Sequence, residues 1–334
     1  MMPLRLVPGT ATSIGSLPHL APDDGAAFVL ARHPDLPAVP QLPRRSRRAG
    51  MVAEAAVGIP GVEVVDDGSL VVDAPLLEAN GADGAFVDEA PLPDGLVAFL
   101  EQVAGRTKPV KLQLTGPVTL GIALVRAGVA PDPAFAVAGA AVRARARRLL
   151  EQAARRAPDA AAVLFLDEPG LTCSEHPGFP LARHGVTDLL SGVLSDSAAA
   201  ATGVHCCGPT DWGAVVEAGP DILSLPVPLV GAADPLAISG FLESGGRVAW
   251  GAVPTDGPVS DDVGLLWRRL VGAWCDLVRA GCDPVLLRSR SLVTPACGLA
   301  GHGLSQADLA LRLARELGQR AHDQAVASRL AVGG

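Results

Sequence analysis

Tyrosine is absent from these 334 residues, methionine occurs three times, and aromatic residues make up only 3%. The core must therefore be assembled from small aliphatic side chains, alanine above all, packed as helices on a sheet. No apolar run approaches the roughly 20 residues that span a bilayer. Met1-Met2-Pro3 leads into Leu4-Arg5-Leu6 without an apolar stretch of signal-peptide length. A cytoplasmic protein is expected. Positive charge is the minority: 27 Lys and Arg against 35 Asp and Glu give a net charge of −8. That balance argues against nucleic acid or an anionic membrane as the main partner. The basic run Arg44-Arg45-Ser46-Arg47-Arg48 is local, and the arginines between Arg143 and Arg156 read as the solvated face of a helix. The Gly-rich dinucleotide fingerprint and the P-loop pattern are both missing, which removes the main support for those ligands.

Six cysteines, at 173, 206, 207, 275, 282 and 297, are present. In a cytosolic chain of this size they read as core thiols, catalytic thiols or metal ligands rather than disulfides. Cys206, Cys275 and Cys282 are expected to be inert core residues.

What the chain does have is a rhythm. Helical stretches at Asp23–Arg32, Arg47–Val57, Pro93–Val103, Pro133–Arg156, Val186–Ala201, Trp212–Ala218, Pro235–Glu243, Asp262–Ala280 and Ser305–Leu317 alternate with short apolar runs. The runs Pro109–Leu114, Ala161–Leu166, Thr202–Gly208, Asp221–Leu225, Arg247–Gly251, Val285–Arg288 and Ser291–Cys297 read as strands. Pro37–Pro43 is too proline-rich for a central strand. Val62–Val72, with Asp66-Asp67-Gly68 at its centre, reads as a hairpin outside the main architecture. A strand, a polar or Gly/Pro turn and a helix recur about eight times at roughly 35–40 residue spacing. The expectation is an α/β fold: one (β/α)8 TIM barrel domain over residues 1–334.

In such a barrel the functional residues gather where the strands end. On the Thr202–Gly208 strand His205 and Cys207 share a face and Cys206 points away. An imidazole and a thiolate side by side make half of a tetrahedral zinc site. Cys297, at another strand end, reaches the same rim. Asp167-Glu168-Pro169 stops an apolar strand with carboxylates, which are costly to bury without a partner. Asp167 therefore reads as functional, and Glu168 falls on the opposite face by alternation. The plainer readings are a turn role for Cys297, a loop cap for Asp167, and core packing for His205 and Cys207.

Five segments occur in an order that resembles the C-terminal, catalytic barrel of cobalamin-independent methionine synthase, within the uroporphyrinogen decarboxylase/methionine synthase-like superfamily. They are Ile14-Gly15-Ser16-Leu17-Pro18, Leu114-Thr115-Gly116-Pro117-Val118-Thr119, Leu166-Asp167-Glu168-Pro169, Val204-His205-Cys206-Cys207 and Pro295-Ala296-Cys297-Gly298-Leu299. The resemblance spans nearly the whole chain and implies Zn2+ on His205, Cys207 and Cys297. It implies a small-molecule thiol, homocysteine, held by the Ile14, Gly15 and Ser16 backbone and by Asp167, with Glu168 as a further substrate-side candidate. The methyl donor would be 5-methyltetrahydrofolate, or a methylcorrinoid on a corrinoid protein, with His302 as candidate acid for the leaving nitrogen. Four departures stand beside it. No carboxylate lies near Leu225-Pro226, where the family's fourth zinc ligand falls. Pro43–Met51 is basic where the family has a second amine-binding carboxylate, with Arg45 or Arg47 near that place. No folate-holding aromatic segment is recognisable around Gly84 to Pro93, and the family's N-terminal barrel has no counterpart here. A non-catalytic zinc- or amino-acid-binding barrel is the alternative.

Overall fold

The computed structural model describes residues 6–80 and 90–332. The reading of Met1 to Arg5 and the search for an aromatic donor segment over Gly84 to Glu89 fall outside these residues. After β1 (Thr10–Ala11) come α1 (Pro22–Arg32), α2 (Met51–Ala56), the hairpin β2 (Val62–Val64) and β3 (Leu70–Val72), α3 (Ala74–Asn80) and α4 (Asp94–Gln102). Next are β4 (Val110–Thr115), α5 (Pro117–Arg126), α6 (Pro131–Arg156), β5 (Ala162–Asp167), α7 (Arg183–Asp196), β6 (Ala201–His205) and α8 (Trp212–Glu217). The chain closes with β7 (Ile222–Pro226), α9 (Pro235–Glu243), β8 (Arg247–Val253), α10 (Val263–Arg279), α11 (Pro284–Ser289), β9 (Ser291–Pro295) and α12 (Leu304–Val332). No helix among the described residues is long and apolar enough to cross a membrane.

Seven strands pair in parallel in the order β1-β9-β8-β7-β6-β5-β4. The expected eight-stranded closed ladder is not what the pairing shows. In the eighth place stands the extended segment 37–41, joined by isolated bridges only. Lys111 N donates to Pro37 O at 2.8 Å and Val39 N to Lys111 O at 3.0 Å, while Gln41 N donates to Gly15 O at 3.0 Å. Both edges of the sheet thus reach one segment, and the sheet curls. Pro37 and Pro40 have no N–H to give, so a continuous ladder cannot form there.

The sheet has two buried faces of unequal size. Helices cover the outer face with a large aliphatic cluster that includes Leu112, Val204 and Cys206. The inner face holds a small one: Leu6, Leu36, Val163, Phe165, Ile222, Ala249 and Leu292. A Cβ on Gly203 would lie 2.6 Å from the Phe165 ring, so glycine at that register partner is what lets the ring fill the interior.

Two expectations are corrected. Val285–Arg288 is helix α11, because Asp283 accepts from the Val285 and Leu286 amides and Pro284 starts the turn. A three-residue apolar run fits either period, and only the cap distinguishes them. Cys275 is exposed rather than core. The buried stripe of α10 is Leu266, Leu270, Trp274 and Leu277, and the residue after Trp274 turns about 100° away.

His33 fastens α1 to α12. Its Nε2 donates to Leu311 O at 3.1 Å, and the ring is 2% exposed. Burial lowers its pKa to about 4. Between pH 6.5 and 4 the unfolded chain therefore binds a proton that the native state refuses. Stability is full above 6.5 and is lost toward pH 4, by about 3 kcal/mol. In urea titrations at pH 7, 5 and 4, His33→Gln is expected to lose less stability on acidification than the native chain. Parallel acid limbs for the two proteins would reject this account.

Candidate metal centre

One ladder row runs Thr115, Asp167, His205, Ser224, Ala249 and Leu292 across five parallel pairings. Register partners in a parallel sheet point the same way, so these side chains share the inner face near the strand ends. His205 is buried there. Its Nδ1 lies 3.2 Å from Ser224 O and 3.0 Å from Ser224 Oγ. A carbonyl can only accept, so the proton sits on Nδ1 and the lone pair on Nε2. Nε2 is buried with no hydrogen-bond partner. This is the tautomer a metal-binding imidazole needs, oriented by a backbone carbonyl behind it.

Cys207 follows two residues on, and Cys297 arrives from the end of β9. The β9 exit is drawn in because Gly251 has no Cβ: one would stand 2.8 Å from Ala296 Cα. The turn is then clamped on the N-terminal motif, with Leu299 N donating to Ser16 O at 2.8 Å. A Cβ on Gly298 would collide with Ser16 Oγ at 1.9 Å. One ligand atom from each of His205, Cys207 and Cys297 lies within 4.8 Å of the others. Ligands around a tetrahedral zinc stand roughly 3.3–3.8 Å apart, so small side-chain rotations bring these three into range. The donor set therefore fits the ion. Among the described residues no fourth His, Cys or carboxylate joins the group.

The two thiols are coupled. A hydrogen bond with Cys297 pulls Cys207 below the usual thiol range, and the same contact pushes Cys297 up to about 12. Cys206 points into the outer core, where burial raises it to about 11.

Around the triad the inner face is unusually polar. Gln113 Oε1, Asp167 Oδ1 and Thr294 Oγ1 are also buried without partners. Native interiors satisfy nearly all such atoms, so a cluster of orphans marks a place built to receive polar groups. Lys111 is buried in it, donating to Ile14 O at 2.6 Å with its ammonium 4.7 Å from the Phe165 ring centroid. Burial raises Asp167 and lowers Lys111, while each opposes the other's shift.

The other candidates fall in different places. The Ile14 carbonyl is held by Lys111, and Gly15, at φ +147°, lies against the Gln113 and Gln41 side chains. Glu168 is fully buried at the start of α5 and accepts from Val118 N at 2.9 Å, Thr119 N at 2.7 Å and Thr119 Oγ1 at 2.5 Å. Its carboxylate is spent on those donors, away from the triad. His302 is half-buried, with Nε2 donating to Thr255 O at 3.1 Å. Arg45 pairs with Asp94 at 2.8 Å. Lys111, Gln113 and Ser224 escaped the sequence reading. In Lys111-Leu112-Gln113-Leu114-Thr115 the alternation was visible, and a polar face that turns inward is its meaning here.

No protein-family model and no curated protein matches the chain. Among solved structures, a methyltransferase from Methanosarcina mazei aligns with a TM-score of 0.61 over 94% of this chain and 94% of its own, at 14% sequence identity. The two share a fold.

Proposed function

We propose that the chain is a zinc-dependent methyltransferase that activates a small thiol, homocysteine or one like it, for transfer from a methylated folate or a methylcorrinoid. Residues 1–334 act in this reading as one cytoplasmic barrel domain, closed through segment 37–41. One observation carries the proposal: His205 presents a buried, unpartnered Nε2 to two thiols while Nδ1 is held by Ser224. The fold shared with a methyltransferase supports it.

His205, Cys207 and Cys297 would hold the zinc. A bound zinc ion supplies a thiolate at neutral pH, because coordination deprotonates a thiol outright. The residues of the chain do the rest. Asp167 Oδ1 accepts from the substrate ammonium, and the Ile14-Gly15-Ser16 turn offers its amides to the carboxylate. Lys111 holds that turn from below through the Ile14 carbonyl. His302, when both ring nitrogens carry a proton, gives the Nδ1 proton to a leaving nitrogen and keeps Nε2–H on Thr255 O. The three-membered ligand set leaves a coordination position for the thiol, which favours the corrinoid donor as the second reading.

The test is a methyl-transfer assay on zinc-loaded protein with homocysteine and each donor class in turn. Methionine formation from either donor supports the reading. Zinc-loaded protein that methylates no thiol from either donor leaves a binding barrel instead.

A further inference from the structure

Beyond the single bridge at Ala38 and Lys111, segment 39–42 and the end of β4 diverge. A cavity of about 150 Å³ opens in that gap, with Leu42, Leu96, Leu114 and Leu149 among its apolar walls. None of Asp167, His205, Cys207 or Cys297 lines it. It does reach Gln113 and Thr115, and Thr115 stands two strands from His205 in the ladder row, a span of about 10 Å. The cavity is thus a neighbour of the metal centre with its own walls.

Its charged groups are unevenly satisfied. Asp94 is already paired with Arg45, and Arg148 donates to Ala90 O at 2.6 Å. Arg145, from α6, donates to Val57 O with one terminal nitrogen, yet its buried Nε has no partner. Glu54, from α2, lines the same cavity and senses Arg145 electrostatically, but among the described residues the two form no ion pair. Burial pushes Glu54 up to about 7, which makes its carboxyl a hydrogen-bond donor for much of the time at neutrality. An unpartnered guanidinium N–H and a carboxyl O–H therefore border one apolar space. A buried donor left unmade is costly, and the group that completes both is an anionic acceptor. An aliphatic cavity of about this volume holds a body of roughly six heavy atoms, the size of a benzene ring.

We propose that this cavity is a second ligand site, taking a small carboxylate whose head accepts from Arg145 and Glu54 and whose apolar body of about six heavy atoms lies among the leucines. The site is independent of the metal centre and of any metal bound there.

Isothermal titration of the full chain with benzoate tests it, with benzyl alcohol as the neutral isostere. Benzoate is expected to bind one site per chain, at least about tenfold tighter than the alcohol. Arg145→Met should weaken benzoate at least about tenfold and leave the alcohol unchanged. Ala49→Leu, which fills the cavity without removing a charge, should abolish both; if Arg145→Met does not fold, this variant decides. Cys297→Ser should bind benzoate as the native chain does. Equal affinity for benzoate and the alcohol, or native benzoate binding by Ala49→Leu, overturns the proposal. So does loss of benzoate binding in Cys297→Ser, which would place the carboxylate on the metal.

Discussion

Replacing His205 by alanine or Cys297 by serine is expected to lower bound zinc from about one ion per chain to below about 0.2, and thiol methylation about 10³-fold. The magnitude has two parts. A free thiol with a pKa near 8.5 is only about 3% thiolate at pH 7, which costs about thirtyfold. Losing the point that fixes the sulfur relative to the donor costs at least about thirtyfold more. The parts separate by pH. The residual rate of either variant should climb about sixteenfold from pH 7 to 8.5, as the free thiol ionises, while the native rate stays flat. Ser224→Ala is the graded control. It removes the hydroxyl at 3.0 Å from Nδ1 but leaves the carbonyl at 3.2 Å, so zinc affinity should fall by less than about tenfold. Metal analysis with stopped assays reads all three variants. A full complement of zinc in His205→Ala would end the metal reading.

How much of this was legible depends on distance along the chain. His205 and Cys207 declare themselves by their spacing at one strand end, although β6 itself stops at His205, and Cys297 by its place at another. Ser224 could not be read, since its bond to His205 comes from strand register nineteen positions away. Lys111 and Gln113 illustrate an inversion of a common rule. Alternating polar and apolar residues usually mean that polar faces water, yet here Leu112 meets the outer helices while Lys111 and Gln113 turn into the curled sheet. Nothing local says which face is concave. The segment 37–41 was half-read: its prolines forbid a central strand, but not the two bridges that join the sheet's edges. In each case the pattern was present, and what it lacked was the neighbour.

Glu168 shows how strand alternation separates structure from chemistry at adjacent positions. Asp167 lies on the inner face with an unpartnered oxygen, while Glu168 caps the backbone of α5 with both of its oxygens. Gly116 is glycine for this contact, because a Cβ there would sit 2.2 Å from Glu168 Oε1. Glu168→Ala strands two amides at a helix start and the Thr119 hydroxyl in a dry site. The expected loss is about 3–4 kcal/mol, read as a lower urea midpoint at unchanged slope. Glu168→Gln should recover part of it, since its amide oxygen still accepts but its NH2 faces a donor. The alternative, a carboxylate that faces substrate, predicts the opposite split: stability within about 0.5 kcal/mol of native and a raised KM. Because Gly170 N also leans on Thr119 Oγ1 at 3.0 Å, loosening this cap frees the loop that follows Asp167. A secondary rise in KM would then track the loss of stability across the two variants rather than appear without it.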